Sequence, residues 1–319
     1  MIKQLIAGVA LATASGLACA QAYPNQPIRM IIPSTPGGGT DFIGRLVSTR
    51  LAELNGWTVL PINRPGAGTA LGLAEGAKAN PAGYDLVIGQ TDNVTLIPLL
   101  MKVAYDPVKD LTPIANVATT PMVLIVKEDS PYRKLGDAIA AAKAAPGKIA
   151  YGTSGTGGQV HIAMELLQLQ AGFKMQHVPY KGSAPALADL LGGHLGFAGS
   201  SISSAATLTQ AGKIRALAVT SPKRNQALPD VPTVAESGYK DYSVVSYYGV
   251  FGPAGMPPAV VARLNADINK LLARPDVRTA LLGQGLEPHP LSTDEFAALI
   301  RDDIRKNKDV IASAGIKVE

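Results

Sequence analysis

The feature that most constrains this chain is a recurring order: a short apolar run, a glycine-rich turn, then apolar residues at helical spacing. Ile28-Arg29-Met30-Ile31-Ile32 leads into Pro36-Gly37-Gly38-Gly39, after which Ile43, Leu46, Val47, Leu51 and Leu54 fall on one helical face. Near-continuous apolar runs suit strands covered on both faces, and their alternation with helices is the pattern of βαβ units around a parallel sheet. Val59-Leu60-Pro61-Ile62 and Asp85-Leu86-Val87-Ile88 extend the series. A second series has strands expected at 122–126, 149–151, 175–178 and 214–219. Within it Val160, Ala163, Met164, Leu167 and Ala171 form a stripe that Gly172 ends.

The stretch 242–251 reads as extended and is expected to carry the chain back to the first series. The last third reads as helical. Val261, Leu264, Ile268 and Leu271 share a face, and Ser292 with Glu295 forms a capping box ahead of Phe296, Leu299, Ile300, Ile304 and Ile311. The expected fold class is α/β with two lobes joined by crossing strands. Lobe 1 is expected from 21–121 and 250–319, and lobe 2 from 122–249 including the hinge crossings.

Lys3, the apolar run at 5–17 and Ala18-Cys19-Ala20 have the layout of a cleavable signal peptide over 1–20. The run is shorter than the roughly 20 residues that span a bilayer. A lipoprotein signal at Cys19 is the alternative, although Gly16 stands where such signals usually carry Leu. The expected location is the periplasm. Cys19 is the only cysteine, which leaves a processed chain without disulfides or thiolate ligands. The net charge of +5 is scattered, with no basic run interleaved with aromatics, which argues against a nucleic-acid partner.

Two segments have the means to hold an anion. Ser34-Thr35-Pro36-Gly37-Gly38-Gly39-Thr40-Asp41 and Gly152-Thr153-Ser154-Gly155-Thr156-Gly157-Gly158 each run from a strand through glycines into a helix start. Glycines let an oxyanion approach the main chain, and the first helical turn offers free N–H groups and a favourable dipole. Ordinary α/β turns, with Thr40 and Asp41 as helix caps, are the alternative. If the loops face one another, an anion with two polar ends is held without Arg or Lys.

Other chemistries lack their motifs. Pro65-Gly66-Ala67-Gly68-Thr69-Ala70-Leu71-Gly72 misses the dinucleotide spacing, and no phosphate-binding P-loop is present. Gly152-Thr153-Ser154-Gly155-Thr156 misses the nucleophile elbow at its last position. His161, His177, His194 and His289 have no metal-ligand spacing, so neither metal nor cofactor is expected. His161, four residues before Glu165 on one helix, is expected to form a surface or interlobe pair with it.

Several motifs recur together: Tyr23-Pro24 with Pro27-Ile28-Arg29, Pro36-Gly37-Gly38-Gly39-Thr40-Asp41, Asn63-Arg64-Pro65-Gly66-Ala67-Gly68, Val178-Pro179-Tyr180-Lys181-Gly182, Arg215-Ala216-Leu217-Ala218-Val219-Thr220 and Leu228-Pro229-Asp230-Val231-Pro232-Thr233. In these the chain resembles the Bug family, the substrate-binding proteins of tripartite tricarboxylate transporters. The resemblance implies a type II periplasmic binding-protein fold that closes on ligand like a trap and hands it to membrane permease subunits. It also implies that Gly37, Gly38, Gly39, Thr40 and Asp41, and Ser154, Gly155, Thr156, Gly157 and Gly158, bind carboxylate ends. Thr91, Asn93, Ser200 and Ser203 look like further contacts, and Ser34 and Tyr180 complete the set.

The sequence departs from the family where Ser34 replaces an aromatic, and where Gly196 and Gly199 stand in positions often acidic. Lost negative charge there favours a dicarboxylate or aromatic carboxylate over an amino acid. The expected protein is a monomeric solute receptor, not an enzyme. A periplasmic sensor uses the same cleft physics, and a serine hydrolase built on Ser154 and His161 is the rival from another class.

Overall fold

The structure, a computed structural model, describes residues 23–317; the expected signal segment lies outside them. The first apolar run forms β1 (Ile28–Ile32), flanked in parallel by β2 (Val59–Asn63) and β3 (Asp85–Gln90). The stripe after the first glycine turn becomes α1 (Gly39–Asn55), whose Ile43, Val47 and Leu51 pack in one core with Ile28, Met30 and Ile32. The helix α2 (Ala70–Ala77) covers the other face of the sheet, its Leu73 packing in a second cluster with Ile31 and Val87. After β3 the chain passes through a wide helical turn at Asp92–Leu96 into the short α3 (Ile97–Leu100).

The long strand β4 (Leu111–Lys127) belongs to both lobes. Its first part pairs with β9 (Val245–Pro253), which in turn lies antiparallel to β3. Its last part, from Met122, pairs with β7 (Phe197–Ser201) and β8 (Ile214–Val219). β4 and β9 are therefore the crossings, with 122–126 only the far end of one of them. The second lobe adds β5 (Ala150–Thr153) and β6 (Gln176–Pro179), giving the order β2-β1-β3-β9-β4-β7-β5-β6 across one curled sheet.

Helices α4 (Leu135–Ala144), α5 (Gln159–Ala171), α6 (Ser183–Leu191) and α7 (Ile202–Gln210) cover the second half of that sheet. The stripe on α5 is buried throughout, and Gly172 ends the helix in the left-handed conformation. The helical return comprises α8 (Pro258–Leu272), α9 (Pro275–Leu282) and α10 (Thr293–Ala314), and the Ser292–Glu295 capping box forms. Leu264, Ile268 and Leu271 join the core of the first lobe, while Phe296 meets Tyr247 and Phe251 of β9. Val310 and Ile316 pack with Leu96 and Ile162, so the C-terminal end buttresses α5 as well.

Candidate functional site

Between the lobes lies a cavity of about 840 Å³. Ser154, Gly155, Thr156, Gly157 and Gly158 line it from the second lobe, together with Gln159, Val160, Ser183 and Ser201. The first lobe contributes Gln90 and Asp92, with Leu96, Ile97, Leu100 and Met101 as an apolar wall. Thr120, Ser246 and Tyr248 come from the crossing strands. Gly158 caps α5 without a side-chain hydrogen bond, and of the first-turn N–H groups that of Gln159 is directed at Asp92. Gly157 takes φ +75°, the left-handed region where a β-carbon is strained.

A buried scaffold fixes this loop from behind. The Gly157 N–H donates to His161 Nδ1 at 3.0 Å, and Thr153 Oγ1 lies 2.7 Å from His177 Nε2 while donating to the Gly155 carbonyl at 3.0 Å. With the Thr153 proton spent on Gly155, His177 is the donor to Thr153. Tyr151 donates to Glu165 at 2.6 Å, and Glu165 also accepts from Gln168. His161 and Glu165 face each other at 3.9 Å, but both are buried inside the second lobe instead of forming the surface or interlobe pair expected. Burial holds His161 at about 4, and burial with the neighbouring His161 does the same for His177. The ring nitrogens of His161 face Gly157 and Glu165, so it offers no base to Ser154, and the hydrolase geometry is not assembled.

The first glycine loop stands one side chain away. Gly37, Gly38, Gly39 and Asp41 line a separate hollow of about 650 Å³ with Phe42, Arg45 and Gln284. It abuts the large cavity through two contacts: Thr40 donates to Gln90 Oε1 at 2.6 Å, and a β-carbon on Gly39 would lie 3.4 Å from the Tyr248 hydroxyl. Asp41 is buried and occupied by the Gly37 N–H, Arg45 and Asn63. Burial pushes its carboxyl up, but these bonds outweigh that and hold it below the ordinary range. Asp41 thus ties the loop to its own helix.

Register decides the remaining residues. Thr91 and Asn93 are fully buried and bond inward: Thr91 Oγ1 accepts the Tyr247 N–H at 2.9 Å, and Asn93 Oδ1 accepts the Gln90 N–H at 2.9 Å. Asp92, between them, lines the cavity. Ser200 is likewise buried on β7, and its neighbour Ser201 lines the cavity, bonding with exposed Ser203. Tyr180 donates to Asp189 at 2.6 Å beside the loop, and the hydroxyl of Ser34 is shut away from solvent. Gly196 and Gly199 do not line the cavity; a β-carbon on Gly199 would fall 2.3 Å from Val160, so this glycine serves packing. The negative charge comes instead from Asp92, the one Asp, Glu, Lys, Arg or His among the described lining residues.

A family model described as tripartite tricarboxylate transporter family receptor matches residues 43–316. The chain belongs to this receptor family. The receptor is similar to the protein BugT of Bordetella pertussis, 34% identical over 319 residues, covering 98% of each chain. It is also similar to a solved TctC solute-binding protein from Polaromonas, with TM-score 0.81 and 31% identity over 91% of this chain and 99% of the other. An R. palustris protein solved with adipate gives TM-score 0.78 and 32% identity, covering 92% and 99%. The two-lobed architecture and the family together make the receptor a periplasmic solute-binding protein that serves a membrane permease, and not an enzyme.

Proposed function

We propose that this receptor captures a small carboxylate, a dicarboxylate or an aromatic carboxylate, in the cavity between its lobes and delivers it to a tripartite tricarboxylate-type permease. The observation that carries this is the pairing, in one cavity, of the glycine loop at 154–158 and the N-terminal donors of α5, which the Gly158 cap position leaves without a side-chain bond, with an apolar wall from the other lobe. An oxyanion suits the donors, and an alkyl chain or ring suits Leu96, Ile97, Leu100 and Met101. Gln90, Ser183, Ser201 and Ser246 offer hydrogen bonds to a second polar end. The relative solved with adipate supports the same guest class.

In this reading Ser154, Gly155, Thr156, Gly157 and Gly158 touch the guest, and the loop at 37–41 acts through Gln90 and Tyr248. We take the lobes as 21–121 with 250–319, and 122–249. One chain supplies both walls of the cavity, which supports a monomeric receptor. Closure is favoured only as far as the guest touches both lobes. A thermal-shift screen tests the proposal: adipate or benzoate raises the melting temperature and uncharged diols do not. A protein stabilised by neither carboxylate, or by the diols alone, contradicts it.

A further inference from the structure

Asp92 is in an unusual position for an acid. It lines a cavity that we read as a carboxylate site, and the described lining residues include no Lys, Arg or His. Its Oδ1 is shut away from solvent with no hydrogen-bond partner, and the Gln90 amide lies 3.5 Å from its Oδ2. From the second lobe the backbone N–H of Gln159, in the first turn of α5, is directed at the same carboxylate. Asp92 therefore stands against the donors at which a guest's carboxylate would be received.

Two carboxylates brought together in a closed cavity without a cation do not both stay ionised; one takes a proton. We propose that Asp92 takes up one proton from solvent when a carboxylate guest closes the cleft, and donates that hydrogen to the guest's carboxylate. This rests on the carboxylate reading above and adds to it a specificity-determining residue and a proton. Burial already pushes the Asp92 carboxyl up, with the Gln159 N–H opposing. The titratable groups facing it from β9 are Tyr248 and Tyr247; burial raises both, and the Asp92 charge raises them further. Asp303 of α10 acts on Tyr247 and is not among the residues that line the cavity. On the second lobe His161 is turned to Gly157 and Glu165.

The sign follows from linkage. Asp92 binds its proton more tightly in the closed complex than in the open protein, so acidification strengthens binding. Affinity is lost as the pH rises, by up to about tenfold per unit wherever Asp92 is ionised when free and protonated when bound. A guest that brings its own hydrogen-bond donor or ammonium group to Asp92 needs no such proton.

The test is calorimetric titration of the full receptor with adipate and with benzoate, in buffers of different ionisation enthalpy, at about pH 6 and about pH 8. Uptake approaching one proton and weaker binding at the higher pH are expected. Asp92→Asn keeps a donor at the site, and its binding is expected to take up no proton and to be flat with pH. Asp92→Ser, also neutral, gives the same readout should the amide disturb packing. Wild-type binding without proton uptake overturns the inference alone, as does uptake that persists in either neutral variant. Failure of the wild type to bind either carboxylate overturns the carboxylate reading, and this inference with it.

Discussion

The imidazoles of His161 and His177 lie face to face, their centroids 3.8 Å apart and their planes 13° from parallel. Each holds a different part of the loop at 154–158, His161 through the Gly157 N–H and His177 through Thr153. Both must stay neutral, because protonated His161 Nδ1 cannot accept and two stacked cations repel. Their pKa values of about 4 lie below the ordinary 6.5, so the unfolded chain binds more protons between these values. The stability they contribute is complete above about pH 6.5 and drains away as the pH falls through about 4. Melting temperature followed by circular dichroism is expected to decline over that window, and less steeply in His177→Gln. Identical slopes for variant and wild type would show that the stack does not carry the effect.

Gly157→Ala forces a β-carbon into a backbone at φ +75°. The cost is about 1 kcal/mol of stability, the scale of placing an L-residue in the left-handed region. The larger effect is expected on binding, since the strain falls on a loop whose donors line the cavity. Calorimetry with adipate is expected to show weaker binding well beyond the shift in denaturation midpoint.

Much of the fold was legible because its strands are apolar runs closed by glycine turns: β1 and β8 have the bounds that their sequences imply. The strand β7 was not legible. Its Gly199 leaves room for Val160 of α5, and that close approach removes the apolar side chain by which a strand is recognised. The first half of β4 was not legible: Pro113 and Pro121 lack the N–H that a ladder needs, and register shifts between Pro113 and Ala115 and between Asn116 and Ala118 step it irregularly along β9. In the candidate site, the glycine loop at 154–158 was legible from strand, glycines and helix alone. Asp92 and Ser201 were not, because sequence does not reveal which of two adjacent polar residues faces the core. The packing decides it: Thr91, Asn93 and Ser200 are buried, while Asp92 and Ser201 stay half-exposed beside them.

Thr91→Val is expected to leave the Tyr247 N–H unpaired in a fully buried position. An orphaned buried donor costs about 1–3 kcal/mol. Because Tyr247 lies on a crossing strand, the loss should appear as a lower urea midpoint with an unchanged denaturant slope.

Gly72→Ala probes the packing beside the first loop. Its β-carbon would lie 2.7 Å from Pro33 Cβ, 2.9 Å from Pro33 Cα and 3.0 Å from the Arg64 carbonyl, two of them backbone atoms. Neither neighbour yields easily, so a destabilisation of about 1–3 kcal/mol is expected in chemical denaturation.

Small-angle scattering during titration with a bound carboxylate tests capture between the lobes most directly. The radius of gyration is expected to fall as the guest saturates, tracking the rise in melting temperature across the same concentrations. A guest that stabilises the protein while the radius stays constant would contradict closure of the two lobes around it.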